Sequence, residues 1–292
     1  MKVALHSVGY SGTWGGETVL SVEDFVKKAA SLGFDGVELM AKRPHLSPLD
    51  YARRDVDRLR ELLSSLGLDA ACVASYHDFS PSPDHPDMAR VEKELVYLDR
   101  VMEIAAGLEC KVVRTYSGYL YPGVDYRRQW ETCVEALGEA CSIAEDHGVY
   151  LGLQNHSPLS SFVDEVLTLV KDVGSNRLKV VLDAPLLVER GENLRESVLK
   201  CRRLIVHTHT SDFTYVYGRQ PGAFFTFRRV MAVPLGRGVV DYRTFIKALK
   251  EIGYDGYLSY EMCSELEGGS SEENLDRLAR IALGYTKSLI DR

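Results

Sequence analysis

The chain has 292 residues, 45% of them hydrophobic, and carries 35 Lys and Arg against 42 Asp and Glu. This composition predicts a folded protein with a large core, and the formal net charge of -7 argues against a nucleic-acid partner, which would require a basic face. No apolar run approaches the roughly 18 residues of a membrane span, and the first residues lack the apolar region of a signal peptide, so we expect a cytoplasmic protein with no membrane partner.

Helical patterns and short apolar runs alternate along the whole chain. The apolar residues Val22, Phe25, Val26 and Ala29 follow helical spacing after the capping residue Ser21. Further helices are predicted around residues 59–66, 242–249 and 272–289. Short apolar runs predict buried parallel strands at residues 3–5, 36–40, 70–74, 111–114, 150–153, 179–182, 204–206 and 257–260.

Eight strands alternating with helices predict a single-domain (β/α)8 TIM barrel spanning residues 1–292. A doubly wound open sheet is the alternative, but no Gly-rich dinucleotide-binding sequence follows the first strand. Residues 212–240, rich in aromatic residues and arginine, predict a long loop on the face where barrel enzymes keep their sites. We expect this loop to serve as a lid or as the contact surface of a homo-oligomer.

Ionisable or polar side chains follow most of these apolar runs. Because the carboxyl ends of barrel strands meet at one cavity, these side chains are expected to converge there. Oxygen and imidazole donors without thiolates suit one divalent ion, Mn²⁺, Mg²⁺, Co²⁺ or Zn²⁺. In chain order the residues are His6, Glu38, His77, Arg114, Gln154, Asn155, His156, Asp183, His207, His209, Asp212 and Glu261.

Several short pieces in this order resemble the xylose-isomerase-like barrels, the sugar phosphate isomerase/epimerase family. They are residues 33–38 (GFDGVE), 153–156 (LQNH), 182–183 (LD), 207–212 (HTHTSD), 234–238 (PLGRG) and 253–256 (GYDG), the last leading to Glu261. The resemblance implies a barrel enzyme with one divalent metal ion and a small carbohydrate substrate. It implies the metal ligands Gln154, Asp183, His209 and Glu261, with Asp212 orienting the His209 ring.

Two residues depart from the family pattern. Gln154 stands where most relatives have a glutamate, and an amide can coordinate a cation but cannot abstract a proton. Leu186 stands where many relatives have a histidine. The proton-exchanging glutamate pair of the family's epimerases is therefore incomplete, which defines an atypical subgroup.

The remaining acid–base candidates are Glu261, His156, His207 and His77, with His156 preferred because it projects to the same face as Gln154. The side chains expected to contact substrate are His6, Trp14, Glu38, His77, Arg114 and Asn155. For Arg114, an ion pair with Glu38 is the competing interpretation.

We therefore predict a metal-dependent isomerase or epimerase that acts on a keto- or aldo-sugar through an enediolate. The alternatives are a metal-dependent lyase, either a dehydratase or a deglycosidase of a 3-keto sugar, and a degenerate barrel that binds sugar without turnover. A DNA-repair endonuclease is disfavoured by the net charge and by Leu186.

Overall fold

The computed structural model describes residues 1–14, 18–81, 89–156, 158–219 and 226–291. The strands in these ranges are Lys2–His6 (β1), Gly36–Met40 (β2), Asp69–Ala74 (β3), Val112–Thr115 (β4), Tyr150–Gln154 (β5), Leu178–Asp183 (β6), Ile205–Thr210 (β7), Asp212–Arg219 (β8), Thr226–Val233 (β9) and Tyr257–Tyr260 (β10). The α-helices are Val22–Leu32 (α1), Arg53–Ser65 (α2), Arg90–Gly107 (α3), Tyr126–Asp146 (α4), Val163–Val173 (α5), Ala184–Glu189 (α6), Leu194–Cys201 (α7), Tyr242–Glu251 (α8) and Glu272–Ile290 (α9).

Eight parallel strands close into a barrel in the order β1-β10-β7-β6-β5-β4-β3-β2, which confirms the predicted (β/α)8 fold. The apolar stripe of each surrounding helix packs on the outside of the barrel. In α1, Ser21 caps the helix by accepting from the backbone N–H of Asp24, and Phe25, Val26 and Ala29 are buried. No helix among the described residues has the length and apolar character needed to cross a membrane.

The segment predicted as a long loop at residues 212–240 instead contains an antiparallel two-stranded ribbon. Strands β8 and β9 are paired along their whole length, and the pairing begins with Asp212 opposite Val233. Alternating residues with β-branched and aromatic side chains, such as Tyr215, Val216 and Tyr217, explain the strand formation. Phe224 and Phe225, part of the aromatic pattern behind the lid and interface predictions, lie outside the described residues.

The cysteines are unpaired thiols, and all but Cys263 are buried. Strand register makes the inside of the barrel polar at its carboxyl end. Residues that lie side by side in neighbouring strands point to the same face, and His6 lies opposite Glu38 while Asp183 lies opposite His209. Consequently the barrel positions a layer of charged side chains where its strands end.

Candidate metal centre

Three of the residues expected to bind metal surround the Nδ1 atom of His209. This atom lies 3.4 Å from Asp183 Oδ2 and 3.4 Å from Glu261 Oε2. Gln154 Nε2 lies 3.1 Å from the same Nδ1 atom and donates to Asp183 Oδ2 at 2.7 Å. All four side chains come from the ends of neighbouring strands, so the structure brings the predicted ligand set together.

The donor set suits a divalent cation. His209 Nε2 lies 3.0 Å from Glu38 Oε1, and a carboxylate there keeps the proton on Nε2, so the lone pair of Nδ1 faces Asp183 and Glu261. Two buried carboxylates and an imidazole lone pair at one point leave negative charge uncompensated. Without a cation, His209 binds a second proton. Burial opposes the charged ring, but Glu38 and Glu261 outweigh this effect and raise the pKa of His209 to about 10.

The Gln154 amide fits the same interpretation. Its Oε1 atom is buried without a hydrogen-bond partner in the described structure. A half-turn of the amide exchanges oxygen and nitrogen and brings this oxygen among the other donors. An amide oxygen is a suitable neutral ligand for Mn²⁺, Mg²⁺, Co²⁺ or Zn²⁺, so Gln154 can complete a set with the charge of two carboxylates.

Glu38 lies beneath this set and accepts from several histidines, which differs from the substrate contact expected for it. It is fully buried, and His207 Nε2 lies 2.9 Å from Oε2. His6 Nε2 lies 3.6 Å from both Glu38 Oε1 and Glu261 Oε1. Burial raises the pKa of Glu38, but His209, His6 and His207 outweigh it, so the net pKa falls well below its usual value. Glu38 is a positioning residue.

His6 and His207 are also buried in this network and do not line the cavity described below. The backbone N–H of Val8 donates to His6 Nδ1 at 3.0 Å, which keeps the His6 proton on Nε2. Burial lowers the pKa of His6 to about 3 and also lowers that of His207. The structure therefore gives neither residue the direct substrate contact or proton transfer that the sequence suggested.

Asp212 does not orient the His209 ring, contrary to the expectation. Its two oxygens accept backbone N–H groups of Phe213, Gly236, Gly238 and Val240 at 2.9–3.2 Å. A side chain on Gly238 would overlap the Asp212 carboxylate, so this close approach requires glycine. Asp212 joins the base of the β8–β9 ribbon to the segment before α8, and Glu38 orients His209 instead.

Asn155 and His77, two expected substrate contacts, are occupied by structural hydrogen bonds. The Asn155 amide accepts from the backbone N–H of Asp183 at 2.8 Å and donates to its carbonyl, which holds the metal-facing residue in place. His77 hydrogen-bonds to Ser75 Oγ through Nε2 and lies 2.7 Å from Glu94 Oε2 through Nδ1. Both side chains are buried away from the cavity.

Arg114 lies between two aromatic rings and makes no ion pair with Glu38 within the described structure, so that competing interpretation was wrong. Its guanidinium carbon is 4.5 Å from the ring centroids of both Tyr76 and Tyr116. It is fully buried and donates through Nη1 to the Ser75 carbonyl at 3.0 Å. Arg114 thus supports the cavity wall from behind.

A cavity of about 450 Å³ opens above the metal centre. The expected residues Trp14, His156, Asp183 and Glu261 line it, and so does Leu186. The ribbon contributes Phe213, Val230 and Ala232. The cavity is also lined by residues that were not predicted as site residues: Lys42, Tyr76, Tyr116, Tyr119, Glu189 and Cys263. Their position in the chain could have indicated some of them, because Tyr76, Tyr116 and Cys263 each follow a barrel strand within three residues.

His156 lies against Tyr116 with ring centroids 4.2 Å apart, nearly parallel. Burial and the Arg114 charge lower the pKa of His156 to about 4, so its ring is neutral at pH 7. Burial raises the pKa of Glu261, and Asp183 adds to this while His209 opposes it.

A larger groove of about 700 Å³ lies between α4 and α5, but its described lining contains no histidine and lies away from the metal centre.

Residues 26–286 match the profile of a family described as a xylose isomerase-like TIM barrel. The chain is 23% identical to a D-psicose 3-epimerase of Ruminiclostridium cellulolyticum over 97% of both chains. It is also 23% identical to an inosose dehydratase of Clostridium perfringens, over 82% of this chain and 81% of the relative. Among solved structures, the probable 3-DHS dehydratase from Bacillus anthracis has a TM-score of 0.76 at 21% identity, over 98% of this chain and 99% of the other.

Proposed function

The chain belongs to the xylose isomerase-like TIM-barrel family, and on this premise we propose that it is a metal-dependent isomerase or epimerase of a keto- or aldo-sugar. The observation that carries the proposal is the approach of Asp183 and Glu261, each 3.4 Å from the Nδ1 atom of His209, at the floor of a cavity. The named activities of the epimerase relatives support the same chemistry.

A divalent cation held by Gln154, Asp183, His209 and Glu261 would supply Lewis-acid stabilisation of an enediolate. The protein would supply the remaining functions. Glu38 keeps the proton of His209 on Nε2, and Asn155 holds the Asp183 backbone. Aromatic faces in the cavity lining would exclude water from the reacting carbons.

His156 is the proposed base. It is neutral at pH 7 and therefore able to accept a proton, and its contact with Tyr116 fixes the plane of its ring. Its Nδ1 atom makes no hydrogen bond to the described residues. Glu261 also lines the cavity, and its raised pKa suits a second proton-moving group.

A lyase is the second candidate, and Gln154 is the observation that favours it. Inversion at a carbon requires an acid–base group on each face of the substrate, whereas elimination of water or an alcohol requires only one. Because the Gln154 amide cannot move a proton, the substrate face next to it lacks an acid–base group. This arrangement is compatible with a dehydratase or a deglycosidase of a 3-keto sugar. The dehydratase names of two similar proteins are consistent with this candidate.

Incubation with hydroxyketones in D2O, followed by NMR of the substrate carbons, tests both candidates. Proton exchange with conserved mass is expected for an isomerase or epimerase, and loss of water or an alcohol identifies a lyase. Activity that survives complete removal of divalent ions would refute both. If the protein loaded with Mn²⁺ binds sugar without proton exchange, the remaining interpretation is a degenerate barrel that binds sugar without turnover.

Variants separate the metal centre from the base. Asp183→Asn and His209→Ala should lose bound metal in elemental analysis while keeping the wild-type circular dichroism spectrum. His156→Gln should retain metal but slow exchange by about 10²–10⁴-fold. His147→Gln is the matched control, because His147 pairs with Asp99 on the surface. An unchanged exchange rate in His156→Gln would rule out the proposed base.

A further inference from the structure

Two cationic side chains contact the same aromatic ring in the cavity wall. Lys42 Nζ lies 4.1 Å from the centroid of the Tyr76 ring, and the Arg114 guanidinium carbon lies 4.5 Å from it. Arg114 contacts Tyr116 in turn, and Tyr116 packs on His156. We call these five residues the cationic wall. It runs from the end of β2 to the end of β5, beside the metal centre.

Among the residues that the structure describes, no carboxylate pairs with the positive charge of Lys42. Within the described structure the Lys42 amine makes no ion pair. Apart from the metal-centre residues and Asp212, the described cavity lining contains one carboxylate, Glu189, and it does not pair with Lys42. Lys42 is about half-buried, and burial together with the Arg114 charge lowers its pKa. A lysine held near a second cation without a counterion is costly in the free protein.

Arg114 extends this positive potential from behind. Its Nε and Nη2 atoms are buried without a hydrogen-bond partner in the described structure, although buried polar groups are nearly always paired. Burial opposes the charged guanidinium, but Tyr116 and Tyr76, and after them Glu261 and Glu38, raise the pKa of Arg114, so it stays charged.

We propose that the cationic wall binds a carboxylate of the substrate through Lys42, so that the substrate is a hydroxyketone acid and not a neutral ketose. This inference rests on the proposed function, because the metal centre would hold the hydroxyketone end of the same molecule. One amine in the cavity lining provides one positive charge, which matches a carboxylate better than a phosphate dianion. The cavity of about 450 Å³ accommodates a sugar acid.

Binding of three probes to the Mn²⁺-loaded full chain tests the inference by isothermal titration calorimetry. The probes are D-fructose, its 6-phosphate and 5-keto-D-gluconate, which differ in charge at similar size. A charge-assisted hydrogen bond predicts that the keto acid binds about tenfold or more tightly than fructose. The preference should weaken with added salt.

Variants assign the preference to Lys42. Lys42→Met should weaken binding of the keto acid about tenfold while leaving fructose unchanged, and Lys42→Arg should retain the preference. Lys179→Met is the matched control, because the Lys179 amine lies 5.6 Å from the Tyr150 ring at the opposite end of the barrel. It should leave binding of all three probes unchanged.

The outcomes also separate this inference from the proposed function. Equal affinity for fructose and the keto acid, a preference for the phosphate, or equal losses in Lys42→Met would overturn the carboxylate site. Metal-dependent exchange on a neutral ketose, together with no binding preference for the keto acid over fructose, would support the proposed function and reject this inference. Conversely, Lys42-dependent binding of the keto acid without exchange would support the site and reject the isomerase.

Discussion

Replacing Glu38 with glutamine removes the negative charge beneath the metal centre while nearly preserving side-chain volume. Glu38 accepts hydrogen bonds from His207 at 2.9 Å and from His209 at 3.0 Å. A hydrogen bond to a charged group contributes about 1.5–3 kcal/mol, and an amide can accept one of these bonds but faces the second N–H with its own NH2 group. The free energy of unfolding of the metal-free protein should therefore fall by about 3 kcal/mol.

The same substitution should weaken metal binding through His209. The loss of a carboxylate that orients a metal-binding histidine typically costs about 10–100-fold in affinity, which corresponds to about 1.4–2.7 kcal/mol. Denaturant unfolding in the presence of chelator measures the first effect, and Mn²⁺ titration calorimetry measures the second.

Glu94→Gln is the matched control for Glu38→Gln. Glu94 also lies against a histidine, 2.7 Å from His77 Nδ1, but that pair does not contact the metal centre. We expect Mn²⁺ affinity to remain at the wild-type value in Glu94→Gln. If Glu38→Gln also binds Mn²⁺ within about twofold of wild type, the argument that Glu38 sets the proton position of His209 fails.

Three further predictions concern charge at other buried positions. Gln154→Glu should destabilise the metal-free protein by about 1–3 kcal/mol in thermal unfolding, because a carboxylate would replace the amide that lies 2.7 Å from Asp183. The same variant should bind Mn²⁺ more tightly. Gln154→Met is the uncharged control. Asp212→Ala should lower unfolding free energy by about 3 kcal/mol without changing Mn²⁺ affinity, because four backbone N–H groups lose their acceptor. Burial lowers the pKa of His45 to about 4, so its contribution to stability is present above pH 6.5 and is lost as the pH falls toward 4; His45→Gln should flatten this part of the pH–stability curve.

The fold followed from the sequence because hydrophobic periodicity encodes burial directly. Residues 36–40 and 257–260 were predicted to the residue, and the bounds of the other barrel strands differ from the predicted ones by one or a few residues. The β8–β9 ribbon was missed because its aromatic residues also suit a lid or an interface, and strand pairing between distant residues is not visible in a local pattern.

The site was predictable to the level of which strand ends converge, but the assignment of each side chain was not. Asn155 and His77 follow barrel strands and Glu38 lies within β2, yet their polar atoms are used by the Asp183 backbone, Glu94 and His209. Whether a buried polar group contacts substrate depends on which partners satisfy it, and those partners are distant in sequence. Lys42 was missed for the same reason, since its having no counterion among the described residues is a property of the fold.

The hydrogen-bond pattern narrows the set of groups that can move a proton. His6 has its proton fixed on Nε2 by the Val8 backbone, and His207 lies against Glu38 away from the cavity. Gln154 cannot exchange a proton at all, so Glu261 and His156 remain of the cavity-lining groups that the sequence predicted to move protons. Epimerisation would require these two groups to reach opposite faces of the substrate, whereas aldose–ketose isomerisation and elimination can proceed with one of them. The amide of Gln154 at the end of β5 therefore restricts the reaction more strongly than any residue of the cavity wall.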